Sequence, residues 1–293
     1  MTAQKGSSLN GSSLNGSSLN GSSLNGSSLN GNPLNTTLAS VAFAGLKLNG
    51  GGTADAAWLV GTELHAKKGS TIYRGVDLKQ AELQGTMADG RTVRLRLRSV
   101  TAPPTGDDRW RYGVEYRESD NTWWPVCKQD GVGAVDAYAL SGTWSYAFGT
   151  ASGGAKSDDG TKFTFACTNG ASALAKCVDL GYKPWTSFAG VNLENHHQAC
   201  VRLIRADYCG DGTSYTADGT PVNLYDGLGI QTDDHDWYFE AEWDERGARC
   251  FSPLNRSHEA IPCYQDRVEV GCGSQQFPFG TLLVNETTDD GIL

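Results

Sequence analysis

The chain has 293 residues, with 24 Lys and Arg against 33 Asp and Glu, and a formal net charge of −9. The excess acid lies late: residues 211–293 hold 16 Asp and Glu against 4 Arg and no Lys, which excludes an ordinary nucleic-acid or anionic-membrane surface, since both require clustered cations. No apolar run reaches the length of a membrane span, and the length leaves room for a large core and two globular units.

After a short N-terminal tail (residues 1–5), residues 6–30 read Gly-Ser-Ser-Leu-Asn five times. Apolar residues then recur at Leu9, Leu14, Leu19, Leu24, Leu29 and Leu34, slip by one, and resume at Leu38, Phe43 and Leu48. A period of five fits neither a helix nor a flat strand. It fits a solenoid that turns a corner every five residues and sends each central residue inward. Burying one Leu contributes roughly 1.5–3 kcal/mol, whereas ordering five backbones costs about 5–10 kcal/mol. Such a coil therefore needs ladder hydrogen bonds and neighbouring coils as well. The alternative is a Gly/Ser/Asn linker, but a linker has no need of Leu at every fifth position.

Cut as Ser-Ser-Leu-Asn-Gly, the unit resembles the pentapeptide-repeat family, in which four units make one coil of a square β-helix. Ser7, Leu9, Asn10 and Gly11 match its pattern, as do Val41, Phe43 and Gly45, while Leu78 and Leu83 echo it weakly. The resemblance implies a solenoid over residues 6–50, with those nine apolar residues as its core. The absence of charge between Gly6 and Leu46 argues against the DNA mimicry known in that family. An uncapped coil exposes backbone groups and a Leu stack, so stacking on another copy is one expected outcome and capping by the following domain is the other.

Residues 51–160 read as a β-rich domain. Val93–Arg98 and Trp110–Tyr116 alternate strictly, and Trp123–Cys127, Tyr138–Leu140 and Thr143–Tyr146 continue the series. An antiparallel sandwich or small barrel is expected. The row Arg94, Arg96, Arg98 is either the solvated face of a half-buried strand or an anion site.

Residues 161–274 read as a cysteine-rich α+β module, followed by a C-terminal tail (275–293). Phe163–Cys167 is a short strand, and Leu174, Cys177 and Val178 share a helical face that stops near Gly181 and Pro184. A second helix near Gln198–Tyr208 places Val201, Ile204 and Tyr208 on one stripe. In a later strand Trp237, Phe239, Ala241 and Trp243 alternate with Tyr238, Glu240 and Glu242. Eight cysteines, Cys127, Cys167, Cys177, Cys200, Cys209, Cys250, Cys263 and Cys272, lie at irregular spacings with no Cys-x-x-Cys pair. They read as disulfides in an oxidising compartment rather than a zinc site. A secreted or cell-surface location follows, although no signal peptide precedes the repeat in this numbering; a start at a mature boundary reconciles the two.

The run from Cys200 through Ala206-Asp207-Tyr208-Cys209 to Gly212, preceded by Cys177 and Gly181–Trp185, resembles the ADYC domain of secreted bacterial proteins over roughly Phe163 to Cys272. That resemblance implies no particular activity.

Three constellations invite chemistry. His196 and His197 precede Cys200 at helical spacing, which suits a nucleophile or half a metal site; the cysteine count favours a disulfide instead. Asp233, Asp234, His235 and Asp236, with Asp211 and Asp218 near in sequence, can hold calcium, although no EF-hand order is present; no cofactor is expected, and calcium is the minority alternative. Glu240 and Glu242 can act as a glycosidase pair or simply form the polar face of a strand. No catalytic fingerprint appears. The apolar stretch Phe277–Val284 either joins a neighbouring subunit's sheet or docks on its own domain. The expected function is an extracellular structural protein that assembles with itself into a filament or surface layer through residues 6–50, with the tail as a second contact. The alternatives are a secreted hydrolase with the repeat as spacer, and a monomeric adhesion or binding module.

Overall fold

The structure, a computed structural model, describes residues 37–288 apart from 118, 130–132, 169–171, 217–219, 258, 270 and 274–276. Six expected solenoid positions, Leu9, Leu14, Leu19, Leu24, Leu29 and Leu34, therefore lie outside the described residues, as does Asp218. The chain divides into two compact units. The first takes the described residues up to Tyr146 and Lys156–Ala175; the second takes Ala147–Ala155 and the described residues from Lys176 onward.

The longer strands of the first unit are β1 (Leu38–Leu48), β2 (Ala56–Val60), β3 (Glu63–Lys68), β4 (Thr71–Arg74), β5 (Glu82–Met87), β6 (Thr92–Thr101), β7 (Arg111–Arg117), β8 (Trp123–Pro125), β9 (Ala137–Ser141) and β10 (Lys162–Cys167). Six of them run antiparallel in the order β9–β10–β1–β5–β6–β7, and the pairing of Tyr112 with Ala137 closes β7 onto β9. The result is a six-stranded antiparallel barrel, which leaves no open sheet edge on those strands. Strand β8 pairs with the second half of β7, and β2–β3–β4 form a separate three-stranded sheet. The strand expected to open the cysteine-rich module, Phe163–Cys167, is thus a barrel strand.

The alternation in the sequence explains the barrel. In β6 Val93, Leu95 and Leu97 turn inward, and in β7 Tyr112, Val114 and Tyr116 do the same. Phe163 and Phe165 meet edge to face at 5.0 Å, and Phe43 stacks on Phe163 at 4.9 Å. Side chains fill the interior, as in other small barrels. Deep in this core the Tyr112 hydroxyl accepts from Leu64 N–H at 2.8 Å and donates to Thr62 O at 2.9 Å. Its burial holds the phenol well above its ordinary range.

The expected solenoid core is corrected at Leu38, Phe43 and Leu48. All three are buried along β1, together with Val41 and Leu46, as part of the barrel wall. Buried apolar positions at 38, 41, 43, 46 and 48 alternate steps of three and two. Register shifts against β5 lie between Leu38 and Ser40 and between Ala42 and Lys47. A period of five is what strand alternation plus regular extra residues produces. Leu78 and Leu83 are buried in the same core.

The second unit contains most of α1 (Ala173–Asp179), α2 (Glu194–Ile204), β11 (Val222–Asp226), β12 (Tyr238–Asp244), β13 (Gly247–Phe251) and β14 (Leu283–Thr287). Its antiparallel sheet has the order β11–β14–β12–β13, and α2 packs against β12, β13 and β14. The tail is therefore corrected: Leu283–Thr287 is an inner strand of its own sheet, with both edges paired, and offers no strand to a neighbouring copy. Helix α1 stops where expected, with Gly181 at φ +100° and Tyr182 N–H bonded to Cys177 O at 3.0 Å.

All eight cysteines are paired: Cys127–Cys167 in the barrel unit, and Cys177–Cys200, Cys209–Cys263 and Cys250–Cys272 in the second.

Candidate functional site

The signature Ala206–Cys209 begins where α2 ends. The helix stops at Ile204 rather than continuing to Tyr208, because Ala206 adopts φ +52°. That left-handed residue is costly for a side chain bearing Cβ, and its surroundings hold it. Ala206 N–H bonds to Leu203 O at 2.9 Å, and Asp207 N–H bonds to Arg202 O at 2.9 Å. Tyr208 therefore does not share a helical stripe with Val201 and Ile204.

Each signature side chain has a separate structural task. The Asp207 carboxylate accepts from Asp211 N–H at 3.0 Å and Gly212 N–H at 2.9 Å, and pairs with the Arg202 guanidinium. Burial pushes this carboxyl up, against the pull of Arg202 and Arg205. Arg202 reaches on to Gly153 O at 2.7 Å, and Arg205 donates to Gly212 O at 2.7 Å while lying 5.2 Å over the Phe148 ring. The loop of Ala147–Ala155 is thereby fixed to the signature. Tyr208, with no exposure, packs on Trp243 at 5.5 Å and Phe251 at 4.9 Å. Its hydroxyl donates to Glu240 Oε1 at 2.7 Å. Burial, reinforced by the Glu240 charge, lifts that phenol well above its ordinary value. Cys209 bonds to Cys263. Gly210 follows at φ +71°, where an added Cβ would lie 1.6 Å from Arg246 O, so only glycine fits.

Sequence reasoning missed Arg256, which lies fully buried with Nε 3.6 Å from Glu240 Oε1 and Nη2 donating to Leu203 O. Glu240 Oε2 and Arg256 Nε and Nη1 have no hydrogen-bond partner. Nothing in local spacing ties Arg256 to Glu240, because the fold alone joins them.

The sequence-derived candidates separate. Cys200 is bonded to Cys177, so no thiolate stands beside His196 and His197. Both histidines are buried in α2, and His196 stacks on Tyr182 at 6.3 Å. Burial lowers the His196 pKa. Glu240 and Glu242 are interior rather than polar-out: the register shift between Phe239 and Ala241 turns Glu240 inward. Glu242 accepts from Gly273 N–H at 3.1 Å and from Thr281 Oγ1 at 2.7 Å. The two carboxylates thus serve different neighbours rather than one common ligand.

Asp233 accepts from Asn223 Nδ2 at 2.9 Å, and the same nitrogen donates to Glu286 at 3.0 Å. Asp234 contacts His235 Nδ1 at 2.6 Å, Asp236 is exposed, and Asp211 accepts from Thr213 N–H at 2.9 Å. Burial, with the nearby Asp233 charge, raises the Glu286 pKa. Among the described residues the group with donor atoms close enough for a metal is Glu242, Cys250 and Cys272. Both of those sulfurs belong to one disulfide, so the donor set does not fit a metal. Asp226, also missed, accepts from the Tyr182 hydroxyl at 2.6 Å and from Leu228, Ile230 and Gln231 N–H. The Asp226-Gly-Leu-Gly229 turn was its available signal.

The fold and the buried signature define a mainly β, disulfide-stapled protein of two units. A family model for the ADYC domain matches residues 75–257. The chain belongs to the ADYC domain family, and the match begins inside the barrel unit rather than at Phe163. No curated protein and no solved structure matches the chain.

Proposed function

We propose that this chain is an extracellular binding protein of the adhesion type, carried by its two disulfide-stapled units. The observation that carries this reading is that the signature residues are spent on the interior, so the family hallmark maintains an architecture. Outward-facing chemistry is then left to surfaces such as the barrel wall. Four disulfides are compatible with an extracellular setting, and no described helix is long and apolar enough to cross a membrane. The hydrolase alternative loses support because Glu240 and Glu242 are each held by other groups.

Self-assembly into a filament is the second reading. It is favoured by the unbroken period of residues 6–30 and weakened by the placement of Leu38, Phe43 and Leu48 in β1. Sedimentation velocity and negative-stain microscopy of the full chain, over a range of concentrations, separate the two. A single monomeric species supports the binding protein. Filaments would overturn it in favour of assembly.

A further inference from the structure

Charge is divided unevenly between the units. Residues 25–146 and 156–175 carry 15 Lys and Arg against 14 Asp and Glu, leaving 9 against 19 for the rest of the chain. In the barrel unit, cations gather on one wall. Strand register sets Gln84, Arg94, Arg117 and Trp123 side by side across β5, β6, β7 and β8. The next outward row holds Lys47, Glu82, Arg96 and Glu115 across β1, β5, β6 and β7. Both rows alternate with the buried Leu83, Leu95 and Tyr116, so they face outward. Among the described residues, these two rows together with Arg98 hold five cations and two carboxylates.

The carboxylates hold the guanidiniums in place. Glu82 accepts from Arg94 Nε at 2.7 Å, and Glu115 accepts from Arg96 Nε at 3.1 Å, with Arg98 3.8 Å away. The Trp123 ring lies 4.3 Å from the Arg96 guanidinium carbon and 5.6 Å from that of Arg117. Arg117 Nε is buried without a partner. Beside this wall, β1 advances from Ala42 to Lys47 while β5 moves only from Gln84 to Glu82, and Gly45 in the bulge has φ +78°. An open groove of about 270 Å³ lies there, lined by Lys47, Glu82, Gln84, Thr92 and Arg94 among others.

We propose that this wall and groove bind an anionic polysaccharide, a reading that rests on the binding function above. Lys47, Arg94, Arg98 and Arg117 meet carboxylate or sulfate groups on the sugars, and Gln84 and Thr92 meet hydroxyls in the groove. Interleaved Glu82 and Glu115 penalise a dense polyanion such as nucleic acid, whereas charges separated by neutral sugar atoms match cations spaced across strands about 4.8 Å apart.

Affinity electrophoresis of the full chain in gels containing polygalacturonate, dextran sulfate or neutral dextran tests this, the first two separating carboxylate from sulfate. Retardation by at least one anionic polymer and not by dextran is expected, weakening about tenfold or more as salt rises by an order of magnitude. Arg94→Gln with Arg117→Gln reduces affinity about tenfold, the exposed Lys47→Gln gives a smaller loss and keeps the test open where the pair perturbs folding, and Arg246→Gln, exposed on the other unit, changes nothing. Retardation that these wall variants leave intact overturns the site. Retardation by dextran alone overturns the anionic class while the binding reading stands, and filament formation with no retardation overturns both.

Discussion

Tyr208 donates its phenolic hydrogen to Glu240 Oε1 across 2.7 Å, and neither residue is exposed to solvent. The same oxygen lies 3.6 Å from Arg256 Nε. One buried carboxylate on β12 thus faces a neutral donor from the signature and a cation from beyond β13, in surroundings where an unmatched charge is costly.

Removing the neutral donor should therefore register in stability. Tyr208→Phe keeps the ring contacts with Trp243 and Phe251 but withdraws the hydroxyl from Glu240. A loss of about 1–3 kcal/mol is expected in urea unfolding of the second unit. An unchanged midpoint would show that the bond contributes nothing.

Withdrawing the cation should cost more. Arg256→Met leaves Glu240 without a counter-charge, and about 3–5 kcal/mol is expected to be lost. Arg256→Met combined with Glu240→Leu should recover a large part of that loss, because both charges are then gone. A double-mutant cycle measures the coupling, and strict additivity would show that the pair does not interact.

The disulfides should rank by the chain they enclose. Cys209–Cys263 spans 54 residues and Cys250–Cys272 spans 22. Replacing each pair by Ser should cost about 4 kcal/mol and about 3.5 kcal/mol respectively on the chain-entropy model. A reversed order would place the larger effect in native packing.

His196 gives the second unit a dependence on pH. Burial depresses its pKa below 6.5, so the unfolded chain takes up a proton first as pH falls. Its contribution is fully present above pH 6.5 and is lost as pH drops through the folded value. Unfolding midpoints from pH 7.5 downward should show a decline that His196→Phe, which can still stack on Tyr182, reduces. An identical decline in that variant would assign the effect to other groups.

The barrel was legible where alternation was clean. Val93–Arg98 and Trp110–Tyr116 became β6 and β7, and the cysteine pattern announced four disulfides without their pairing. Leu38, Phe43 and Leu48 misled because alternation interrupted by bulges has the same spacing as a pentapeptide coil, and only the pairing of β1 with β5 and β10 separates the two. Helix α2 was extended too far because spacing cannot show that Ala206 turns left-handed. Glu240 read as surface because one extra residue in β12 reverses which side a carboxylate faces. Arg256 carried no local signal, since its partners are Leu203 and Glu240.

Disulfide mapping tests most directly whether each unit is oxidised and stapled as the structure pairs it, with Cys263 holding the signature's Cys209. Non-reducing proteolysis and mass spectrometry of the natively expressed full chain should return Cys127–Cys167, Cys177–Cys200, Cys209–Cys263 and Cys250–Cys272, with no free thiol. Free Cys209, or its pairing with any residue other than Cys263, would contradict the account.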